Sequence, residues 1–515
     1  MTKKNSAVKA ILLLFSILGS ILILFSTRWG IGITPDSITY ILSAENIAKG
    51  KGFAVLLNNK ELMPVTHYPP LFPFILSFLS KLNLSIIQAS VLLNVSLLCS
   101  TVFLSGYFIY KSTSSLAFTV ICQVLIFSFL DFQVIHAMAL SEPLFIFLCL
   151  ATILSFIKYL EKGSSFVLIF TAVLSSMAFL TRYAGISLFF ACLAGIFILD
   201  KINWKKRIKN SMIFIVINLI PILLWISRNV SLAGNAFNRK LSFHALSSFE
   251  TGLALNSFSR WILPPGYPTK ISAILFPLFF VGISILIIFI FLTKKSGTKK
   301  AQSELSFMLI FIFSYLYLVV FSFMFIDASI PFSYRMLSPL YLPFFMFITI
   351  PAYFLKNVSG KFVPVLKTFL IITFVLFSMS YIYTAFKFVS ESFRDGIGLN
   401  SKIWHTSEII NTVKSLPSEV PIYTNGRSIL SFHTKKTVKG IPHIYHSKTK
   451  KENENFKQEM RNMVHDLSSH NGIIVYINQI NWKRYMPREK DLQKVLKLHY
   501  LQKDSLGSIY KLPDA

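Results

Sequence analysis

Apolar residues in this chain come in long unbroken runs, without the short-period alternation of a fold that is half buried and half wet. A helix needs about 20 mostly apolar residues to cross a bilayer. Runs of that kind recur at about 8–27, 86–110, 115–131, 140–158, 165–180, 184–200, 211–227, 271–292, 304–326, 336–355 and 365–386, predicting about eleven membrane-spanning helices. The first apolar stretch, Ile11 to Phe25, follows Lys3, Lys4 and Lys9 as the core of a signal peptide would. Thr27-Arg28-Trp29 stands where a small-residue cleavage site would be needed, so this run is expected to stay as the first span.

The polar links between runs alternate in character. One set is short and basic: Lys111; Lys158 and Lys162; Lys201 with Lys205-Lys206-Arg207 and Lys209; Lys294-Lys295 with Lys299-Lys300; Lys356 and Lys361. The positive-inside rule puts that set in the cytoplasm with the N-terminus. An odd number of spans then puts the tail outside. The expected division is a membrane domain over 1–387, with its first outer loop at 28–85, and an extracytoplasmic domain over 388–515. Within the first loop, Ile38, Ile41, Leu42 and Ala48 are spaced for a helix lying on the membrane. The outer segment 228–270 carries Arg228, Arg239, Lys240, Arg260 and Lys270. The tail reads as a small α/β unit, with helices near 402–415 and 452–467, strands at 421–424 and 472–477 and a last hairpin across 498–512.

Composition agrees with that pattern. The chain is 54% hydrophobic and 14% charged, with a mean hydropathy of +0.61, whereas soluble domains carry roughly 25% charged residues. A net charge of +29 would suggest nucleic acid in a soluble protein. Here much of the excess is the lysine bias of the inner links, and no nucleic-acid partner is expected. Cys99, Cys122, Cys149 and Cys192 all fall in apolar runs, with no zinc-like spacing, and are expected to pack the core.

The middles of the runs are almost free of ionisable groups. Glu142, Arg182, Arg228, Asp327 and Arg335 map to the outer ends of helices, and Asp36 and Asp131 lie in outer segments at the same level. A proton or ion relay needs acids and bases at membrane depth, so this distribution disfavours a flippase or transporter of lipid-linked glycans. It favours a reaction site facing out. Any one of these charges could be an interfacial anchor, but seven on one face are more than anchoring requires. Arginine suits phosphate through its planar fork. A carboxylate can take a proton from a hydroxyl or hold a divalent ion.

In order along the chain, Pro35-Asp36-Ser37, Tyr40, Ala44, Gly50-Lys51-Gly52-Phe53 and Thr66-His67-Tyr68-Pro69-Pro70-Leu71-Phe72-Pro73 resemble the first outer loop of the GT-C glycosyltransferases. The branch most resembled is the protein O-mannosyltransferase-like group (glycosyltransferase family 39 type), which includes the lipid A aminoarabinose transferases. Ser141-Glu142-Pro143-Leu144-Phe145, Leu180-Thr181-Arg182-Tyr183, Arg228-Asn229 and Tyr334-Arg335-Met336-Leu337-Ser338-Pro339-Leu340 follow in the family's order, and Val420 to Asn425 with Gly440-Ile441-Pro442 resemble its small outer domain. Two departures stand out. Asp36 is followed by Ser37 where many relatives have a second acid, and the Trp-Trp-Asp-Tyr-Gly signature of oligosaccharyltransferases is absent.

The resemblance implies a polytopic α-helical transferase of the bacterial inner (plasma) membrane. It would move a sugar from a polyprenyl-phosphate donor to a hydroxyl of a lipid, glycan or protein acceptor, with inversion. Asp36 would be the catalytic base, and Arg335, Arg182 and Arg228 would bind the donor phosphate. Glu142, Asp131, Tyr40, His67 and Tyr68 would line the cavity or hold a divalent cation, Mg or Mn. A non-catalytic assembly subunit is the remaining alternative, against which the retained Asp36 argues.

Overall fold

The computed structural model describes residues 3–57, 61–236, 248–261, 298–326, 333–354, 363–446, 451–480 and 485–513, with four single positions besides. The eighth expected span, 271–292, lies outside the described residues, as does Asp327. The other ten expected spans all coincide with helices. In chain order these are α1 (Lys3–Ser26), α4 (Ile86–Thr113), α5 (Leu116–Ser128), α7 (Glu142–Lys162), α8 (Ser165–Thr181), α9 (Ile186–Ile198), α10 (Trp204–Ala233), α12 (Thr298–Phe325), α13 (Tyr341–Phe354) and α14 (Val363–Asp395). Between them lie α2 (Pro35–Ala48), the hairpin β1 (Ala54–Leu57) and β2 (Glu61–Pro64), α3 (Leu71–Ser80), α6 (Leu130–His136) and α11 (Ser248–Ser259).

Among the described residues, six helices are long and apolar enough to cross a membrane, or seven if α5 and α6, bent by 59°, count as one span. Of the other expected spans, α14 has 33 residues, whereas α8 and α9, at 17 and 13 residues, are shorter than a bilayer is thick. Their ends carry Arg182 and Gly185. A Cβ at Gly185 would stand 2.3 Å from the backbone nitrogen of Phe179, so only glycine lets the chain fold back this closely.

Along α1, Leu13, Leu14, Ile17, Leu18, Ile21, Leu24 and Phe25 are exposed, and α10 exposes Met212, Val216, Ile220, Leu223 and Leu224. Patches of this extent are foreign to a water-facing surface and suit lipid. Hydroxyls on α1 are satisfied internally: Ser20 Oγ donates to Ser16 O (2.9 Å) and Ser26 Oγ to Leu22 O (2.8 Å).

Three links meet at one end of the bundle. Gly32 pairs with Met138 and Ile33 with Gly398, so the α1–α2, α6–α7 and α14–tail connections lie side by side. At the other end, Lys300 reaches Glu161 (3.2 Å) and Glu304 (3.7 Å), and Lys111 reaches Glu161 (2.9 Å). The basic links at the ends of α4 and α7 and the start of α12 are therefore gathered opposite the Asp36 end.

The α14 helix runs to Asp395, past the expected boundary at 387, because nothing breaks it before Gly396 at φ +74°. Beyond it the tail forms a five-stranded mixed sheet from β3 (Ile422–Thr424), β4 (Lys439–Gly440), β5 (Ile473–Ile477), β6 (His499–Lys503) and β7 (Gly507–Lys511), in the order β4-β3-β5-β7-β6. β3 is parallel to β4 and β5, and β7 is antiparallel to β5 and β6. The tail docks on the Asp36 end. Its helix Arg427–Thr434 packs on α2, and Asn400 Nδ2 donates to Ile31 O (3.1 Å).

Candidate active site

Thr34 caps α2: its hydroxyl accepts from Ser37 N (3.3 Å), and Ser37 Oγ accepts from Thr34 N (3.0 Å). Pro35 takes the first helical position. Asp36 is therefore not the cap; it sits in the first turn with its carboxylate free to point away from the helix. Of the face that the spacing of α2 predicts to lie on the membrane, Ile38 and Ile41 are turned into protein, Leu42 is half-buried and Ala48 is exposed. Ile38, Tyr40, Ile41 and Ala44 are buried, because α3, α4, β1 and the tail helix enclose the helix. The apolar face left open belongs to α3 instead, at Phe74 and Phe78.

Four of the expected residues converge. Arg335, on the helical turn Tyr334–Leu337 ahead of α13, lies between two carboxylates. Its Nη2 is 2.9 Å from Asp36 Oδ2 and 2.8 Å from Glu142 Oε1, and its Nε donates to the same Glu142 oxygen (2.9 Å). Glu142 opens α7 and is 1% exposed; Arg182 Nη1 reaches its other oxygen at 3.0 Å. Arg182 is held in extended backbone between α8 and α9 and also donates to Ser141 Oγ (3.2 Å). Asp36, 34% exposed, is at the edge of this network.

Tyr68 and Tyr40 complete the wall around Asp36. Tyr68 OH donates to Asp36 Oδ1 (2.8 Å), and its ring packs against Tyr40 at 5.0 Å. His67 packs beside Tyr68, its ring tilted by 49° with the centroids 4.3 Å apart. Tyr40 OH is 3.3 Å from Ser141 Oγ. Burial pushes the Asp36 carboxyl up, but the Arg335 guanidinium and the Tyr68 hydroxyl outweigh it and hold the group below the ordinary 3.8. Both phenols are pushed up, by burial first and then by the Asp36 charge, so they stay neutral donors.

The other two expected residues sit elsewhere. Asp131, nearly fully buried on α6, pairs with Arg260 and accepts from Tyr341 OH (3.4 Å). Arg228 holds backbone carbonyls of the first loop and touches none of these carboxylates: Nη1 donates to Val65 O (2.9 Å) and Nη2 to Phe53 O (3.2 Å). Sequence reasoning missed Arg260. The sequence places it in the outer segment 228–270 without a role, and the signal for one is that Asp131, an acid at the end of an apolar run, requires a cation nearby.

The donor set does not form a metal site as arranged. No three His, Cys, Asp or Glu side chains come together among the described residues, and the Arg335 guanidinium fills the place between Asp36 and Glu142 that a cation would take.

No protein-family model and no curated protein sequence matches the chain. Solved structures do. ArnT from Cupriavidus metallidurans in the apo state superposes with a TM-score of 0.59 at 12% identity, over 98% of each chain. The same protein bound to undecaprenyl phosphate gives 0.58 at 11% identity, over 97% of this chain and 98% of that one. The Archaeoglobus fulgidus oligosaccharyltransferase in complex with Zn and sulfate gives 0.54 at 12% identity, over 97% of this chain and 73% of that one. Likeness along the whole length, with a bundle whose acidic and arginine side chains gather at one end under a small sheet domain, identifies the fold: this polytopic membrane protein has the fold of the GT-C glycosyltransferases.

Proposed function

We propose that the chain is a membrane glycosyltransferase that moves a sugar from a polyprenyl-phosphate donor to an acceptor hydroxyl at the outer membrane face, with inversion. The observation that carries this reading is an aspartate at the edge of a charge network, bonded at once to an arginine (2.9 Å) and a neutral tyrosine (2.8 Å). The fold is shared with a protein bound to undecaprenyl phosphate, which supports a lipid-phosphate donor. Such a donor keeps its tail in lipid while its head reaches water, which is a physical reason for a transferase to be built into a bilayer.

The step runs as follows. The acceptor oxygen forms its bond to the anomeric carbon as its proton passes to the Asp36 carboxylate. The bond from that carbon to the phosphate oxygen breaks on the opposite side, and its electron pair leaves with the polyprenyl phosphate. Arg335 and Arg182 stabilise the departing anion. With two guanidiniums facing two carboxylates, Asp36 and Glu142, the resting cluster is balanced. An incoming phosphate therefore competes with Asp36 for Arg335, and winning that competition frees the base. A divalent cation would require Arg335 to leave its place, and no step here depends on one.

The direct test is release of polyprenyl phosphate from a lipid-linked sugar by the purified protein with a hydroxyl acceptor present. Absence of release from every lipid-linked sugar that binds would refute the reading. Glu142→Gln gives a narrower check. As a site residue bridging both arginines, it should lower turnover about 10-fold or more, beyond the moderate fall in melting temperature expected when Arg182 loses its carboxylate partner; a fall in stability with turnover unchanged would return Glu142 to a favourable charge at a helix start.

We further propose a cytoplasmic N-terminus and an extracytoplasmic tail in a bacterial inner membrane. Cys122, Cys149 and Cys192 are buried, so Ser469→Cys, at an exposed tail position, should be the main site labelled by a membrane-impermeant thiol reagent on intact cells. Labelling only after the membrane is broken would invert the topology.

A further inference from the structure

We propose that Arg228 and Asn229 form a clamp on the first outer loop that positions Tyr68 against Asp36. The clamp rests on the transferase reading for its effect on rate, and on geometry alone for its existence.

A two-stranded hairpin is barely stable by itself, and β2 has Leu62 and Met63 exposed, so that strand gains little from burial. The base of the hairpin is different. Phe53 and Val65 are buried with Phe179, Ile222 and Trp225, and three backbone carbonyls there are taken by side chains of α10 and its neighbour. The two arms of the Arg228 guanidinium go to opposite strands, to Val65 O after β2 (2.9 Å) and Phe53 O before β1 (3.2 Å). Asn229 Nδ2, on a fully buried residue, donates to Thr66 O (3.1 Å), which Tyr183 OH also reaches (3.1 Å). Trp225 Nε1 donates to the same Tyr183 hydroxyl (3.1 Å), and the Arg228 guanidinium lies 4.8 Å over the Trp225 ring. The arginine is thus fixed in direction by its own helix before it meets the loop.

Only His67 separates Thr66 from Tyr68, whose hydroxyl reaches Asp36 at 2.8 Å. So short a tether transmits any shift at Thr66 to the Tyr68 ring. A lysine would offer its N–H donors from a single nitrogen, whereas the planar fork reaches both strands from two nitrogens at once. Arg228 and Asn229 are positioning residues: they act on Asp36 through Tyr68 and leave the donor phosphate to Arg335 and Arg182.

The experiment is a double-mutant cycle in the full-length protein, read alongside hydrogen exchange. Displacing a catalytic contact by about 1 Å costs on the order of 100-fold. Arg228→Ala and Tyr68→Phe should each lower kcat with donor KM nearly unchanged. The double variant should fall no further than the worse single one, because both remove the same contact. Arg228→Lys should recover part of the loss. Additive losses, or a raised donor KM at unchanged kcat as a phosphate ligand would give, would overturn the positioning role. Amide exchange across 53–57 and 61–66 should speed up in Arg228→Ala and less in Arg228→Lys. Unchanged exchange there would overturn the clamp itself whether or not transfer has been observed, and absent transfer with faster exchange would count against the function and leave the clamp standing.

Discussion

Asp36→Asn should lose at least about 100-fold in kcat, the low end for removing a general base, while the protein folds and still binds lipid donor. The structure removes the usual ambiguity in this substitution. Had Asp36 capped α2, a phenotype could be assigned to a damaged helix start; the capping pair is Thr34 with Ser37, which the substitution leaves in place. Tyr68 can still donate to the amide oxygen, so the wall of the site survives. What is lost is the ability to take a proton, together with one anionic partner of Arg335, which keeps Glu142 at 2.8 Å. Donor affinity should therefore be held or slightly improved, since Arg335 has one competitor fewer. Near-normal turnover by this variant would remove the chemical centre of the proposed reaction. Lost donor binding together with lost fold would point to a structural role for the carboxylate.

Much of the membrane part is legible in the sequence because lipid imposes a length and a composition that a water-soluble core does not. That Asp36, Glu142, Arg182 and Arg335 could meet also follows from sequence: helix direction fixes which end of each run a charge occupies. Pairing is another matter. Arg182, Arg228, Arg260 and Arg335 look alike along the chain, and only packing sends two to Glu142, one to Asp131 and one to backbone carbonyls. The helix after Pro35 shows the same limit. Its apolar spacing says that a face is buried, and lipid and protein are equally good answers until α3, α4 and the tail helix are placed. In the tail, the strands at 422–424, 473–477 and 499–511 stand close to where alternation predicts them. The helices Arg427–Thr434 and Glu489–Leu496 are eight residues each, too short for periodicity to single out.

Arg335→Ala should lower kcat/KM for the donor by roughly 10- to 100-fold, the worth of one charge-assisted bond to phosphate at about 1.5–3 kcal/mol. Arg335→Lys should rescue it only in part, because an ammonium is a point charge without the planar fork that meets two phosphate oxygens side by side. Loss of phosphate contact is not the only consequence. Glu142, 1% exposed, would keep Arg182 alone, and leaving a buried carboxylate short of its partner destabilises, so the melting temperature should fall as well. A reading on the base itself separates the site from a mere structural pair. Burial raises the Asp36 pKa and Arg335 is the main group lowering it. With the folded value held below the free one, the ionised form is the resting state at neutral pH. Activity that depends on it is present above that value and lost as pH falls through it. Removing Arg335 leaves burial opposed by Tyr68 and the more distant Arg182, so the acid limb of kcat/KM should move to higher pH. The wild type should show the same shift within one enzyme. In kcat/KM, which reports the free enzyme, Asp36 is paired with Arg335. In kcat, which reports the complex, the donor phosphate has drawn Arg335 away, and the acid limb should lie at higher pH. Acid limbs that coincide in wild type and do not move in Arg335→Ala would mean that Arg335 neither guards the base nor leaves it when donor binds.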